Sequence, residues 1–286
     1  LIEEGAFKKE YVEQEKENVK RRIEGKIDNK ARYAMDRCIE EMYNGEPYGL
    51  YKYGYIEDLD KINAQKLYQH YQQLINNCKI DIFISGPVDE NEDIKIQKDI
   101  ENRIKYYTKI NENIKKLRER EANYIKTEIK EKQVEKEKIV TDSMEVTQGK
   151  LILGLDVHLN TEEEKYITSV YNGILGGSAT SKLFQEVREK ASLAYTASSS
   201  FIRHKGNIMI NCGIEIKNYE KALEIIRQQL ENIKTGDFTE EDLENSKKGI
   251  ISVIQGIEDE QDTEITYYFG QELSGDEMEI KRYIET

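Results

Sequence analysis

YNGILGGSATSKLFQEVREKASLAYTASSSF, residues 171–201, decides how the rest of this chain reads. Its spacing predicts a helix end, a glycine break, a second helix and a strand. Gly176-Gly177 is expected to end the first helix, because glycine reaches positive φ without a Cβ clash. Ser178 or Thr180 can cap the next helix. Leu183, Phe184 and Val187 share one face of that helix. Arg188 falls in its last turn, where a cation suits the helix dipole. Tyr195, seven residues on, opens an alternating run expected to be a strand.

Working outward, the second half alternates helix and strand signals. KLILGLDVHL at 150–159 reads as a strand. Thr161 with Glu164 has capping-box spacing, for a helix running to about Leu175. LAYTASSSFI at 193–202 and NIMINCGIEI at 207–216 are two strands joined by a turn at Arg203–Gly206, a hairpin. Asn218 is placed to cap a helix carrying Ala222, Leu223, Ile226 and Leu230, which Gly236 ends. Thr239 and Asp242 repeat the capping-box spacing before a last long helix.

The first half reads similarly. Residues 3–25 are expected to be one helix, with Phe7, Tyr11, Val19 and Ile23 at four-residue steps. The missing member of that stripe is Glu15. It is either a boundary glutamate reaching water or a carboxylate aimed into a cleft. Asp28 or Asn29 caps a second helix to about Tyr43, with Ala34, Cys38, Ile39 and Met42 inward. A tyrosine-rich, glycine-bearing loop follows at 45–59. Asp58 or Asp60 opens a third helix with Leu67, Tyr71, Leu74 and Ile75 on one side. IDIFISG at 80–86 reads as a buried strand, and 88–106 as a polar helix. From 107 to 145 mixed charges dominate, the pattern of a solvated linker. The domains are therefore expected at 1–106 and 146–286, with both halves α+β.

Composition narrows the partners. Of 286 residues, 35 % are charged and 37 % hydrophobic, and the net charge is −13. Nucleic acid and membrane surfaces want a basic face, so neither is an expected partner. The longest apolar run, LILGL at 151–155, is too short to span a bilayer. No signal-peptide pattern is visible, and a start at Leu1 rather than Met with a stop in a polar run at Thr286 suggests a piece of something longer. Cys38, Cys78 and Cys212 are far apart and without a CxxC, as befits free thiols in a reducing cytoplasm.

Hydrolytic zinc needs three protein ligands and an open position. Carboxylates abound here, but His70, His158 and His204 are the only histidines. No HEXXH or HXXEH places two of them one helical turn apart. GxSxG, P-loop and GxGxxG patterns are missing too. The chain alone presents no complete catalytic site.

The run LGGSATSKLFQEVREKASLAY, followed by CGIEIKNYEKALEIIRQQL, resembles the C-terminal domain of M16 (pitrilysin- and insulinase-like) metallopeptidases. Gly176, Gly177, Lys182, Leu183, Phe184, Arg188, Glu189, Leu193, Ala194 and Tyr195 carry the likeness. VEQEKENV, YGLYKYGYIEDL, LYQHYQQLI and DIFISG extend it through the first half. It is most similar to a bacterial, non-catalytic subgroup associated with elongation factor P modification. The resemblance implies two homologous α+β domains, each an antiparallel sheet with helices packed on it, the first truncated at its N-terminus.

It also implies roles. Catalytic members hold zinc on an HXXEH helix and a downstream glutamate, and the zinc activates water. Glu15 matches that third-ligand position, within Val12-Glu13-Gln14-Glu15. The HXXEH segment would lie before Leu1, so no cofactor is expected in this chain. Arg188 and Tyr195 match residues that reach toward the substrate backbone. The expected function is a non-catalytic peptide-handling subunit, paired with a zinc-bearing M16 subunit or with a second copy. An active zinc endopeptidase and a scaffold without peptide binding stay open as alternatives. Without the resemblance, Arg188 and Tyr195 also read as a helix-end cation and a packing tyrosine.

Overall fold

The computed structural model describes residues 1–77, 83, 85, 95, 98, 136–159, 161–274 and 279–285. The described chain is helix-rich α+β, with two small antiparallel sheets. It forms two compact units that interleave along the sequence.

The first unit comprises Leu1–Arg22, Tyr55–Glu128 and Gln255–Thr286. It opens on a hairpin, β1 (Ile2–Glu3) paired with β2 (Ala6–Phe7). Glu4 at φ 49° and Gly5 at φ 76° make the turn, so the expected helix over residues 3–25 starts later. Two consecutive left-handed residues suit a tight hairpin and cannot continue a helix. Helix α1 runs Lys9–Glu24. Its buried line is Val12, with Lys16, Val19 and Ile23 half-buried, while Tyr11 and Glu15 are exposed. The expected apolar stripe through Tyr11 and Glu15 is thus displaced by one position. Lys16 occupies the inner line because its Nζ reaches the Ile62 carbonyl at 3.2 Å while its stem stays covered.

A single turn, α3 (Ile56–Leu59), precedes α4 (Ala64–Asn77). The cap of α4 is Asn63, whose Oδ1 accepts from the Lys66 amide at 2.9 Å, not Asp58 or Asp60. Leu67, Tyr71 and Leu74, expected inward, are exposed. The Phe7 ring meets Tyr68 and Tyr71 at centroid distances of 5.4 and 5.6 Å. From the expected strand at 80–86 only Phe83 and Ser85 are described. Phe83 packs on Phe269 at 5.8 Å, and Ser85 donates to Glu264 at 2.6 Å. The rest of that strand, the 88–106 helix apart from Lys95 and Lys98, and 107–135 of the linker lie outside the described residues.

The second unit comprises Ile23–Gly54 and Ile129–Ile254. Helix α2 (Lys30–Met42) is capped by Asn29, which accepts from the Arg32 amide at 3.0 Å. The sheet has the order β3-β5-β4, all antiparallel, with β3 at Gly149–Asp156, β4 at Ala194–Ile202 and β5 at Asn207–Ile214. Gly206, at φ 63°, closes the β4–β5 turn. Helix α5 (Glu162–Gly176) begins at the expected capping box: Glu164 N donates to Thr161 Oγ1, and Thr161 N to the Glu164 carboxylate, both at 3.2 Å. Helix α6 spans Tyr219–Lys234, and α7 spans Glu240–Gln255 behind the Thr239–Asp242 box. Asn218 precedes α6 without a side-chain capping bond.

One sheet face meets α5 and α6. Leu175, Leu183, Val187, Ile210, Cys212, Ala222 and Ile226 are fully buried there. Strand alternation turns Asn207 and Met209 to the other face, where α2 packs on β3. Asn207 is fully buried and donates from Nδ2 to the Tyr43 hydroxyl at 2.6 Å. Asp142 accepts from Tyr33 at 2.8 Å and from Arg37 at 3.1 Å, tying residues near 140 to α2. Among the described residues no helix is long and apolar enough to cross a membrane.

Candidate functional site

The segment between Arg188 and Tyr195 departs three times in succession from regular backbone. Leu183 and Val187 are fully buried and anchor it to the core. Phe184–Lys190 is wound as a π-helix, and the Ala191 amide bonds back to the Glu186 carbonyl at 3.2 Å. A wider turn of this kind rotates the following side chains away from their α-helical positions. Ser192 then takes φ 51°, the left-handed region. Its hydroxyl donates to the Glu189 carbonyl at 3.4 Å.

The third irregularity lies in β4. Ala194 faces Ile214 and Thr196 faces the next residue, Gly213, so Tyr195 is an extra residue, a β-bulge. Regular alternation would send Tyr195 and Thr196 to opposite faces; here both are exposed, Tyr195 at 54 %. Thr196 Oγ1 takes the Gly213 amide at 3.1 Å. A Cβ on residue 213 would stand 2.9 Å from that hydroxyl, so the bulge needs glycine opposite it.

Arg188 is held rather than loose. Its guanidinium carbon lies 4.4 Å from the centre of the Phe184 ring, and Nε is 3.6 Å from Glu189. A guanidinium on a ring face keeps its planar fork of donors available. At the end of β5, Lys217 pairs with Glu215 at 2.7 Å. That pairing raises the Lys217 pKa, and Tyr195 adds a smaller increment. Beyond the bulge, Thr196, Ser198 and Ser200 form an exposed polar row along β4, which is an edge of the three-stranded sheet.

Glu15 sits on the exposed side of α1, where Asn18 Nδ2 donates to it at 3.1 Å. It belongs to the first unit; Arg188 and Tyr195 belong to the second and are joined by one continuous segment. His70, His158 and His204 are all exposed. Among the described residues no three His, Cys, Asp or Glu side chains gather as metal ligands. The described residues therefore do not fit a zinc centre.

Sequence reasoning singled out Arg188 and Tyr195 but missed Phe184 as a platform, Ser192, Thr196 and Lys217. The bulge has one local signal, Gly213 inside a strand pattern. The glycine pair works differently from expectation. Gly177 has φ −80°, which any residue adopts. Glycine is required instead for close approach: a Cβ at Gly176 would overlap the Ser199 amide, and one at Gly173 would overlap the Ser246 hydroxyl.

Residues 61–250 match the family model described as the peptidase M16 inactive domain. Probable inactive metalloprotease YmfF of Bacillus subtilis is 38 % identical over 247 residues, which is 86 % of this chain and 54 % of that protein. Uncharacterized zinc protease YmxG, also of B. subtilis, is 28 % identical over 222 residues, covering 75 % and 50 %. The chain thus spans about half the length of these curated relatives. A conserved protein from Enterococcus faecalis shares the fold at TM-score 0.73 and 24 % identity, over 99 % of this chain and 64 % of that one. A protease from Helicobacter pylori shares it at TM-score 0.66 and 14 % identity, over 98 % and 69 %. With a family model spanning two-thirds of its residues, the chain belongs to the M16 peptidase family.

Proposed function

We propose that this M16 chain handles peptides without cleaving them, beside a zinc-bearing M16 subunit. The observation that carries the reading is the Arg188–Tyr195 corner. A π-turn, a left-handed serine and a bulge combine to present a stacked guanidinium and an exposed phenol next to an edge strand. Such an edge can take an extended peptide through main-chain hydrogen bonds, and Arg and Tyr donors suit its carbonyl oxygens. The match to the inactive domain and the name of YmfF support the non-catalytic part of the reading. Glu15 keeps the position of the family's third zinc ligand and, in this reading, holds no metal. A second copy in place of the zinc-bearing subunit is the homodimeric form of the same proposal.

The test is a titration of an extended fluorescent peptide into the full-length protein. Arg188→Ala weakens binding about tenfold or more, the worth of a charge-assisted hydrogen bond, and leaves the melting temperature unchanged. Unchanged affinity in that variant rejects the reading in favour of a scaffold. A second reading, an active zinc endopeptidase, is favoured by the zinc-protease names of YmxG and of SCO5738 from Streptomyces coelicolor. Chelator-sensitive cleavage of a quenched peptide by the full-length protein, without any partner, establishes that alternative.

A further inference from the structure

The α2-covered face of the second unit's sheet gathers three sulphur atoms at one glycine. A Cβ placed on Gly154 of β3 would stand 2.7 Å from Met42 Sδ, 3.3 Å from Cys38 Sγ and 3.5 Å from Met209 Sδ. Cys38 and Met42 are one helical turn apart on α2, so their side chains share a face. Met209 reaches the same point from β5, where it pairs with Gly154 across the ladder. The chain has only five methionines and three cysteines among its 286 residues. Three of these eight meet where the strand carries no side chain of its own.

We propose that Cys38, Met42 and Met209 bind one monovalent copper ion. Thiolate and thioether sulphurs select this soft ion over zinc, magnesium or calcium. One thiolate with one Cu(I) is neutral, so the filled site does not bury a net charge. Met209 is 1 % exposed and Cys38 and Met42 are half-buried, which keeps water from competing as ligand while leaving a way in. Burial raises the Cys38 thiol, and a hydrogen bond from the Gly154 backbone opposes that rise. Such second contacts orient a metal-bound sulphur. On binding, the Cys38 S–H bond breaks, its proton leaves to solvent and a copper–sulphur bond forms. Copper enters and stays as Cu(I), so no electron is transferred. The site is independent of the peptide-handling reading and lies on other residues.

The experiment is anaerobic titration of the full-length protein with Cu(I) against the chromophoric chelator bathocuproine disulfonate. One equivalent is withdrawn from the chelator, and the thermal midpoint rises with added Cu(I) because the ion binds the folded chain. Cys38→Ser and Met209→Leu, the second nearly volume-conserving, each weaken binding at least tenfold and remove the thermal shift. Cys78→Ser leaves both unchanged. Wild-type affinity in Met209→Leu overturns the proposal, as does loss of binding in Cys78→Ser or copper that the chelator strips completely. A circular dichroism spectrum and copper-free melt matched to wild type certify each variant as folded. If Met209→Leu fails that check, Met42→Leu takes its place with the same expected result.

Discussion

Gly176 lies so close to Ser199 that no side chain fits between them: a Cβ would overlap the Ser199 amide nitrogen and hydroxyl. The end of α5 and the middle of β4 therefore touch backbone to backbone. Three residues earlier, Gly173 meets Ser246 of α7, whose hydroxyl donates to the Val170 carbonyl at 2.8 Å. Small residues at helical spacing let α5 approach two neighbours at once. This packing places β4 and the bulge at Tyr195 relative to the core.

Gly176→Ala is expected to cost about 1–3 kcal/mol, the usual penalty for forcing a methyl group into a packed contact. Thermal unfolding of the variant measures it. An unchanged melting temperature would show that β4 can move away from α5 without loss. Gly249→Ala serves as comparison, at a helical glycine where nothing lies within 4 Å of an added Cβ.

Tyr43→Phe removes the hydroxyl that pairs with the fully buried Asn207, whose Oδ1 already has no partner. Losing that one side-chain bond strands the whole amide, at a cost of about 1–3 kcal/mol. Urea denaturation should show a lower midpoint with an unchanged slope. Tyr48→Phe, which leaves that hydrogen bond in place, should change the midpoint less.

Asp142 supplies acid-sensitive stability. The Tyr33 hydrogen bond, opposed by burial and assisted by Arg37, holds its carboxyl below the usual range. A carboxylate lowered in the folded state contributes fully above its unfolded pKa of about 3.9 and loses that contribution as the pH falls through the lowered value. The wild type should thus lose more stability than Asp142→Asn between about pH 5 and pH 2. Melting curves across that range, at fixed ionic strength, give the comparison. Parallel curves would mean that Asp142 carries no such share.

Cys212 is fully buried on β5, and burial pushes its thiol up to about 12. Thiolate is the reactive form, so alkylation at neutral pH should wait for unfolding. Burial raises Cys38 as well, against the Gly154 hydrogen bond, and its side chain is less covered. Iodoacetamide labelling with mass readout should mark Cys38 well before Cys212. Equal rates would indicate that the sheet opens as readily as its surface.

Part of this architecture was legible without coordinates. Thr161 with Glu164, Thr239 with Asp242, and Asn29 before α2 all cap as their spacing implied. The hairpin of β4 and β5 follows from alternation and a glycine turn. Ala222, Leu223 and Ile226 face the core as helical periodicity required. Each signal spans a few residues, and each involves only neighbours along the chain. The Glu4-Gly5 turn is equally local, but the apolar steps from Phe7 to Ile23 make a longer helical pattern that masks it.

Other features depend on which neighbour arrives from far away. Glu15 faces outward because Val12 and Lys16 occupy the inner line of α1, where Lys16 finds the Ile62 carbonyl. Gly176 owes its place to Ser199, distant in sequence, rather than to a left-handed turn. The joining of α2 to β3 across more than a hundred residues cannot be read from periodicity, which tells only that a face is apolar.

The chain by itself therefore determined its α+β class, most of its helix starts, its second-half strands and its family. Caps, periods and motif residues interact within a turn or two of themselves, and those distances are set by the order of residues. Only the tertiary structure decided how Arg188 and Tyr195 are presented, which face Glu15 takes, and that three sulphurs meet over Gly154. Those outcomes are settled by close packing, where a missing Cβ or one extra strand residue redirects a side chain, and packing partners are not neighbours in sequence.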